Sequence, residues 1–140
     1  DPTKLQFFAQ LADLYIRLGL ANEAEQLLKE AKNFAKPGDK DVFDIHVLLA
    51  MVYQDKNSTS EMVAELEAAK AAVPGDSPEG VQVLYNLGSA YAATGQKKQE
   101  AIQMLKGFQA RACKSASATK YKTECESTQA LISKLGGTSQ

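Results

Sequence analysis

The sequence predicts an all-α fold of three antiparallel helix hairpins that repeat every 38 residues, followed by a seventh, capping helix. Three observations lead to it. Near-identical stops, Pro37-Gly38-Asp39 and Pro74-Gly75-Asp76, punctuate the chain. The sequence around them is rich in Ala, Leu, Glu, Lys and Gln, which favour helices, and lacks the sustained Val/Ile/Thr alternation that a strand requires. Tyr15, Tyr53 and Tyr91 stand 38 residues apart, twice over.

The first helix, 2–18, begins where Asp1 offers a side-chain acceptor and Pro2 occupies the first turn, in which its missing N–H costs nothing. Gly19 ends it, and the second helix covers 21–35. Asp39 or Asp41 caps the third, 40–55, which stops at Asn57, a residue whose short amide tolerates positive φ. The fourth, 59–73, runs to Pro74. Ser77-Pro78-Glu79 opens the fifth, 78–93, and Gly95 closes it. The sixth spans 97–113 and the seventh 118–135, leaving 136–140 as a tail. Connections of two to six residues force consecutive helices into antiparallel pairs.

Composition narrows the function classes. The 140 residues are 44% hydrophobic and 24% charged with net charge −1, as expected for one domain with its own core. The apolar runs, such as Ile45–Tyr53, fall far short of the roughly 20 residues a membrane span needs. Near-zero net charge speaks against a general nucleic-acid binder. The chain opens on Asp1-Pro2 without a Met or a basic-then-apolar leader, and is read as a processed or excised piece.

Self-comparison sharpens the repeat. The 38-residue step also links Leu11, Leu49 and Leu87; Ala12, Ala50 and Gly88; and Gly19, Asn57 and Gly95. After each turn come Glu23-Ala24…Leu28…Ala31, Glu61-Met62…Leu66…Ala69 and Glu100-Ala101…Leu105…Phe108, the last set displaced by one residue through a longer loop at Gln96–Gln99. A small residue beside a Leu, one turn before a Tyr, lets the paired helix approach while the ring fills the adjacent gap. One such hairpin cannot bury its apolar face alone, so hairpins stack.

These residues resemble the tetratricopeptide repeat, best seen in Leu84-Tyr85-Asn86-Leu87-Gly88-Ser89-Ala90-Tyr91…Thr94-Gly95…Glu100-Ala101-Ile102. The resemblance covers residues 5–114 as repeats of about 2–38, 39–76 and 77–114. It implies a right-handed α-solenoid forming a single domain over 1–140. The period departs from the family's usual length of about 34 residues. The four additional residues precede the later first helices and amount to about one turn, which keeps the apolar face in register. Phe108, where the family has Ala, is expected to tilt the last hairpin. In the seventh helix Ala118, Tyr121, Cys125, Thr128, Ile132 and Leu135 form one apolar stripe backed by polar residues, as an end cap requires.

Little in the chain suggests catalysis. His46 lies in an apolar run with no nucleophile or carboxylate at a telling spacing, and reads as a packing residue. Asp55-x-Asn57-x-Thr59 opens like a calcium loop but continues with Ser60 where Gly is needed and Leu66 where Glu is needed. Neither a phosphate-binding Gly-rich loop nor a zinc ligand set is present, so no enzyme activity, cofactor or metal is expected. Asn57-Ser58-Thr59 is formally a glycosylation sequon. Cys113 and Cys125 face one seam between the sixth and seventh helices. They form either a disulfide clipping the cap in place or two buried thiols; a disulfide would point to an oxidising compartment. The Ala-, Lys- and Gln-rich style suggests a bacterial protein and the disulfide its cell envelope, but the compartment is not read from the sequence.

In the family the chain resembles, the first helices line a concave groove that holds a peptide. By alignment the lining is Gln6, Ala9, Gln10, Asp13 and Arg17; Asp44, Val47, Leu48, Met51 and Asp55; and Gln82, Tyr85, Asn86, Ser89 and Ala93. Val47, Leu48, Met51 and Tyr85 would desolvate an apolar anchor, while Gln10, Gln82 and Asn86 would bond its backbone. Relatives that grip acidic chaperone tails use basic residues here, whereas this chain has Ala9, Asp13, Leu48, Gln82 and Asn86, so that role is not expected. The expected function is a non-catalytic scaffold for a protein or peptide partner, with neither nucleic acid nor membrane insertion involved. The alternative is a self-associating subunit of a larger complex. Residues 1–80 carry 8 Lys/Arg against 14 Asp/Glu and residues 81–140 carry 8 against 3, a polarity suited to head-to-tail assembly.

Overall fold

A computed structural model of the chain describes residues 2–36, 41–114 and 119–136, and among these there is no strand. The helices are α1 (Pro2–Arg17), α2 (Ala21–Phe34), α3 (Val42–Asp55), α4 (Thr59–Ala71), α5 (Pro78–Thr94), α6 (Lys98–Phe108) and α7 (Lys122–Lys134), with a π-helical segment, Gln109–Cys113, between the last two. The chain forms two compact units, Asp1–Ala72 and Val73–Gln140, and the division falls at the Pro74-Gly75 stop.

The turns follow the chemistry of their residues. Gly19 and Gly95 have φ of 79° and 72°, and Asn57 takes the same left-handed conformation at 59°. Ser77 caps α5: its Oγ accepts from the Gly80 N–H at 3.0 Å and donates to the Pro74 carbonyl at 2.6 Å, satisfying one of the donors that a helix start leaves unpaired. Asp41, by contrast, does not cap α3. Its backbone is already helical and its side chain makes no capping bond. The proposed caps Asp1 and Asp39, and Ala118 of the cap stripe, lie outside the described residues.

In the first unit α3 packs on both α1 and α2. The core joins Leu5 and Ala12 of α1, Ala24, Leu28 and Ala31 of α2, and Ile45, Leu49 and Val52 of α3, with Tyr15 and Tyr53 packed against it. Thus the tyrosines of the first two repeats both pack on one core. In the second unit α7 lies across α5, α6 and the π segment. Tyr121, Thr128 and Ile132 turn inward and are buried, as a cap stripe requires. Phe108 is fully buried, its ring 5.3 Å from that of Tyr85 and 5.6 Å, edge-on, from that of Tyr121. The large residue in place of Ala therefore anchors the cap.

The sixth helix departs from the expected single run to residue 113. Its last turn widens into the π segment, where buried Gln109 donates from Nε2 to Gln129 Oε1 of α7 at 3.0 Å. The segment ends at Cys113, which is paired with Cys125 of α7 as a disulfide, the Cα atoms 5.8 Å apart.

Candidate protein-binding groove

The face that α1 and α3 leave free of core packing forms a groove of about 300 Å3, lined by Gln6, Ala9, Gln10, Asp13, Asp41, Asp44, Val47 and Leu48. Helical spacing produces it: residues 6, 9, 10 and 13 of α1, and 44, 47 and 48 of α3, each recur at three or four and share one face. Ala9 keeps the floor shallow. Val47 and Leu48, both half-buried, make it apolar, and Leu48 also touches the core below.

The rim is acidic and amide-bearing. Asp13, Asp41 and Asp44 stand around the floor with Gln6 and Gln10. Asp13 forms an ion pair with Arg17 at 2.8 Å, one turn further along α1, which places Arg17 beside the groove and tied to its rim. Met51 lies one turn beyond Val47 with 40% of its surface exposed. The groove therefore offers an apolar seat that removes water from an aliphatic side chain. Around it, carboxylates attract cations and accept hydrogen bonds, and the amides both donate and accept.

Seven of the groove positions read from the sequence, Gln6, Ala9, Gln10, Asp13, Asp44, Val47 and Leu48, meet in this cavity; Asp41, read as a helix cap, joins them. The α5 positions belong to the second unit. Gln82 donates from Nε2 to Asn86 Oδ1 at 3.3 Å, and both are half-buried. The Tyr85 ring lies on Phe108 in a cluster with Val81, Ala112 and Tyr121, so it is engaged in packing. The Ser89 hydroxyl is buried without a hydrogen-bond partner among the described residues. Sequence spacing could not reveal either, because both depend on how closely α6 and α7 approach α5.

Two charge clusters hold the frame of the groove. Glu25 of α2 accepts from Lys56 Nζ, at the end of α3, at 2.6 Å and pairs with Lys29 at 2.9 Å. The hydrogen bonds from Lys56 and then Lys29 hold its pKa at about 2, against the ordinary 4.5. Tyr53 hydrogen-bonds to the same carboxylate, and burial followed by that bond raises the phenol's pKa. Glu65 of α4 accepts from His46 Nδ1 of α3 at 2.8 Å and from Lys32 Nζ of α2 at 3.0 Å. Burial pushes Glu65 upward, but the bonds from His46 and Lys32 outweigh it and its pKa is lowered. His46 thus packs, as its setting suggested, with an acidic partner. With separations of 31 and 33 residues for Lys56–Glu25 and Lys32–Glu65, neither cluster has a local sequence signature. Among the described residues no group of three or more His, Cys, Asp or Glu is placed to hold a metal ion, and no helix is long and apolar enough to cross a membrane.

Comparison with known proteins agrees with this architecture. A tetratricopeptide repeat family model matches residues 5–36, the first hairpin. Crystal structures of the nearly identical TPR-like repeats of a kinesin light chain candidate from Podosopora anserina, and of a point variant of the same protein, superpose with TM-scores of 0.73 and 0.72. Each is 23% identical and aligns with 96% of this chain, over 71% and 70% of the respective structure. No curated protein gives a match. The antiparallel hairpins and these likenesses give the chain the fold of tetratricopeptide-like repeat proteins, and its first hairpin matches the repeat's family model itself.

Proposed function

We propose that the chain is a non-catalytic scaffold that holds a segment of a partner protein in the α1–α3 groove. The observation that carries this reading is the groove's make-up: an apolar floor of Ala9, Val47 and Leu48 inside a rim of three aspartates. An aliphatic side chain on the floor, with Lys or Arg close to it in sequence, satisfies both parts; an acidic tail does not. Repulsion of like charge makes the preference selective as well as attractive.

Affinity capture with the domain, followed by identification of the retained segment, tests it. Asp13→Lys combined with Asp44→Lys reverses the rim, and Met51→Asp puts a charge beside the floor. Both should abolish capture while helical circular dichroism stays unchanged, and added salt should weaken capture by the native chain. Undiminished capture by both variants would discard the groove.

A further inference from the structure

The second unit holds a cavity of its own, about 370 Å3 in volume and lined, among the described residues, by Asp76, Pro78, Val81, Arg111, Lys120 and Tyr121. Three stretches of chain supply these side chains. Asp76 and Pro78 stand at the entrance to α5, with Val81 close behind. Arg111 lies on the π segment, and Lys120 and Tyr121 lead into α7. The volume is at the lower end of small-molecule sites.

The floor is apolar and the rim is charged. Val81 is 9% exposed and Tyr121 8%, so what little of each solvent reaches looks into the cavity. Phe108 holds Tyr121 in place, edge-on at 5.6 Å, and Lys120 lies over the tyrosine ring, its Nζ 5.2 Å from the centroid. Arg111 donates from Nη1 to the Gly107 carbonyl at 3.2 Å, which lays its guanidinium along the π segment. The Cys113–Cys125 disulfide ties that segment to α7. The walls that carry Arg111 and Lys120 are therefore fixed to one another before a ligand arrives.

Electrostatics give the cavity a sign. Its two cationic side chains outnumber the one carboxylate, and two helices begin at its edge, each with a partial positive charge at its N-terminus. Ser77 caps α5 through the Gly80 N–H, whereas α7 opens at Tyr121 with no side-chain cap. Residues 73–140 carry 8 Lys and Arg against 5 Asp and Glu, and residues 1–72 carry 8 against 12. The cavity thus calls for a ligand of the opposite charge to that which suits the α1–α3 groove.

We propose that this cavity binds an organic monocarboxylate, its apolar body on Pro78, Val81 and Tyr121 and its carboxylate on Arg111 and Lys120. The donors of a guanidinium match the two oxygens of a carboxylate. Asp76 repels a second negative charge, which selects a single carboxylate over a dianion such as phosphate. A free small acid and the C-terminal carboxylate of a chain ending in an apolar residue offer the same chemistry.

Amide chemical-shift titration of the full chain tests the proposal. The probes are 3-phenylpropanoate as the free acid and N-acetylphenylalanine as the chain end, each taken to about 20 mM, a range set by the millimolar affinity of so small a ligand. Saturable shifts centred on residues 76–81, 111 and 120–122 are expected; tighter binding of the first probe points to a free acid, and of the second to a chain end. N-acetylphenylalaninamide, which keeps the body and lacks the charge, and inorganic phosphate should each bind at least about fivefold more weakly. Arg111→Gln should weaken the acid at least about fivefold, whereas Asp76→Asn should tighten it about twofold and admit phosphate. Both side chains are exposed, so helical content should not change. No saturable shift, equal binding of the amide or of phosphate, or a response that Arg111→Gln leaves unmoved overturns the proposal. So do shifts confined to the α1–α3 groove. Neither variant touches that groove, so capture of a partner segment there stands or falls separately.

Discussion

Replacing Gly88 by Ala probes the repeat where two helices come closest. The positions one and two periods earlier hold Ala50 and Ala12, both buried, so the repeat as such accepts a methyl group. At Gly88 it would lie 2.9 Å from Leu105 Cγ, 3.0 Å from Leu105 Cδ2 and 3.3 Å from Met104 Cβ. Leu105 is completely buried, and its Cγ is the branch point of the side chain, so it cannot swing aside without moving α6. In an exposed helix Gly→Ala stabilises by about 1 kcal/mol. Overpacking of a filled core costs about 1–3 kcal/mol. The second effect wins, with a net loss of about 1 kcal/mol and a melting temperature lower by about 3–5 °C. Thermal and urea denaturation followed by helical circular dichroism measure it. In a Leu105→Ala background, where space has been opened, the same Gly88→Ala change should become stabilising by about 1 kcal/mol. A Gly88→Ala chain that melts higher than the parent, with no coupling to Leu105, would refute the close approach of α5 and α6.

Acid should loosen the first unit. The pKa values of Glu25 and Glu65 are both depressed in the folded state, so their stabilising contribution is complete above the ordinary carboxylate value and fades as pH falls through the folded one. For Glu25 that window runs from about 4.5 down to about 2. Urea midpoints should fall across it, and Glu25→Gln should flatten the fall while lowering stability at neutral pH by at most about 1 kcal/mol; an unchanged pH profile would contradict the Lys56–Glu25–Lys29 cluster. The disulfide is expected to hold α7 on the second unit. Cys125→Ser, or a reducing agent, should cost about 2–3 kcal/mol, the order expected for closing a loop of this length. Titration of the denatured, unreduced chain should find no free thiol, and two free thiols would remove the pairing.

Much of this architecture is legible in the sequence because the repeat states each requirement three times. Gly19, Asn57 and Gly95 share a backbone conformation that few residues tolerate, and they mark the hairpin turns. Tyr121, Thr128 and Ile132 keep helical spacing, and they identify the cap. That Cys113 and Cys125 face one seam is legible too, but whether they pair or stay as two buried thiols is decided only by the approach of α7. What the sequence conceals depends on approach rather than on local pattern. Asp41 looks like a helix cap until α1 stands opposite and makes it part of a rim. Tyr85 aligns with the groove but turns onto Phe108, because the bulky residue in α6 offers it a ring to pack on. The π segment is spelled Gln-Ala-Arg-Ala-Cys, all compatible with an ordinary helix, and only the meeting with α7 distinguishes it. Likewise the Lys32–Glu65–His46 cluster joins three helices, and no spacing along one of them announces it.

The most direct test of the binding face is amide chemical-shift mapping of the labelled domain with its captured segment. The groove account expects the largest changes at residues 6–13 and 41–51, with α2 and α4 little affected. Changes concentrated on α2, α4 or α7, with the α1–α3 face silent, would contradict it.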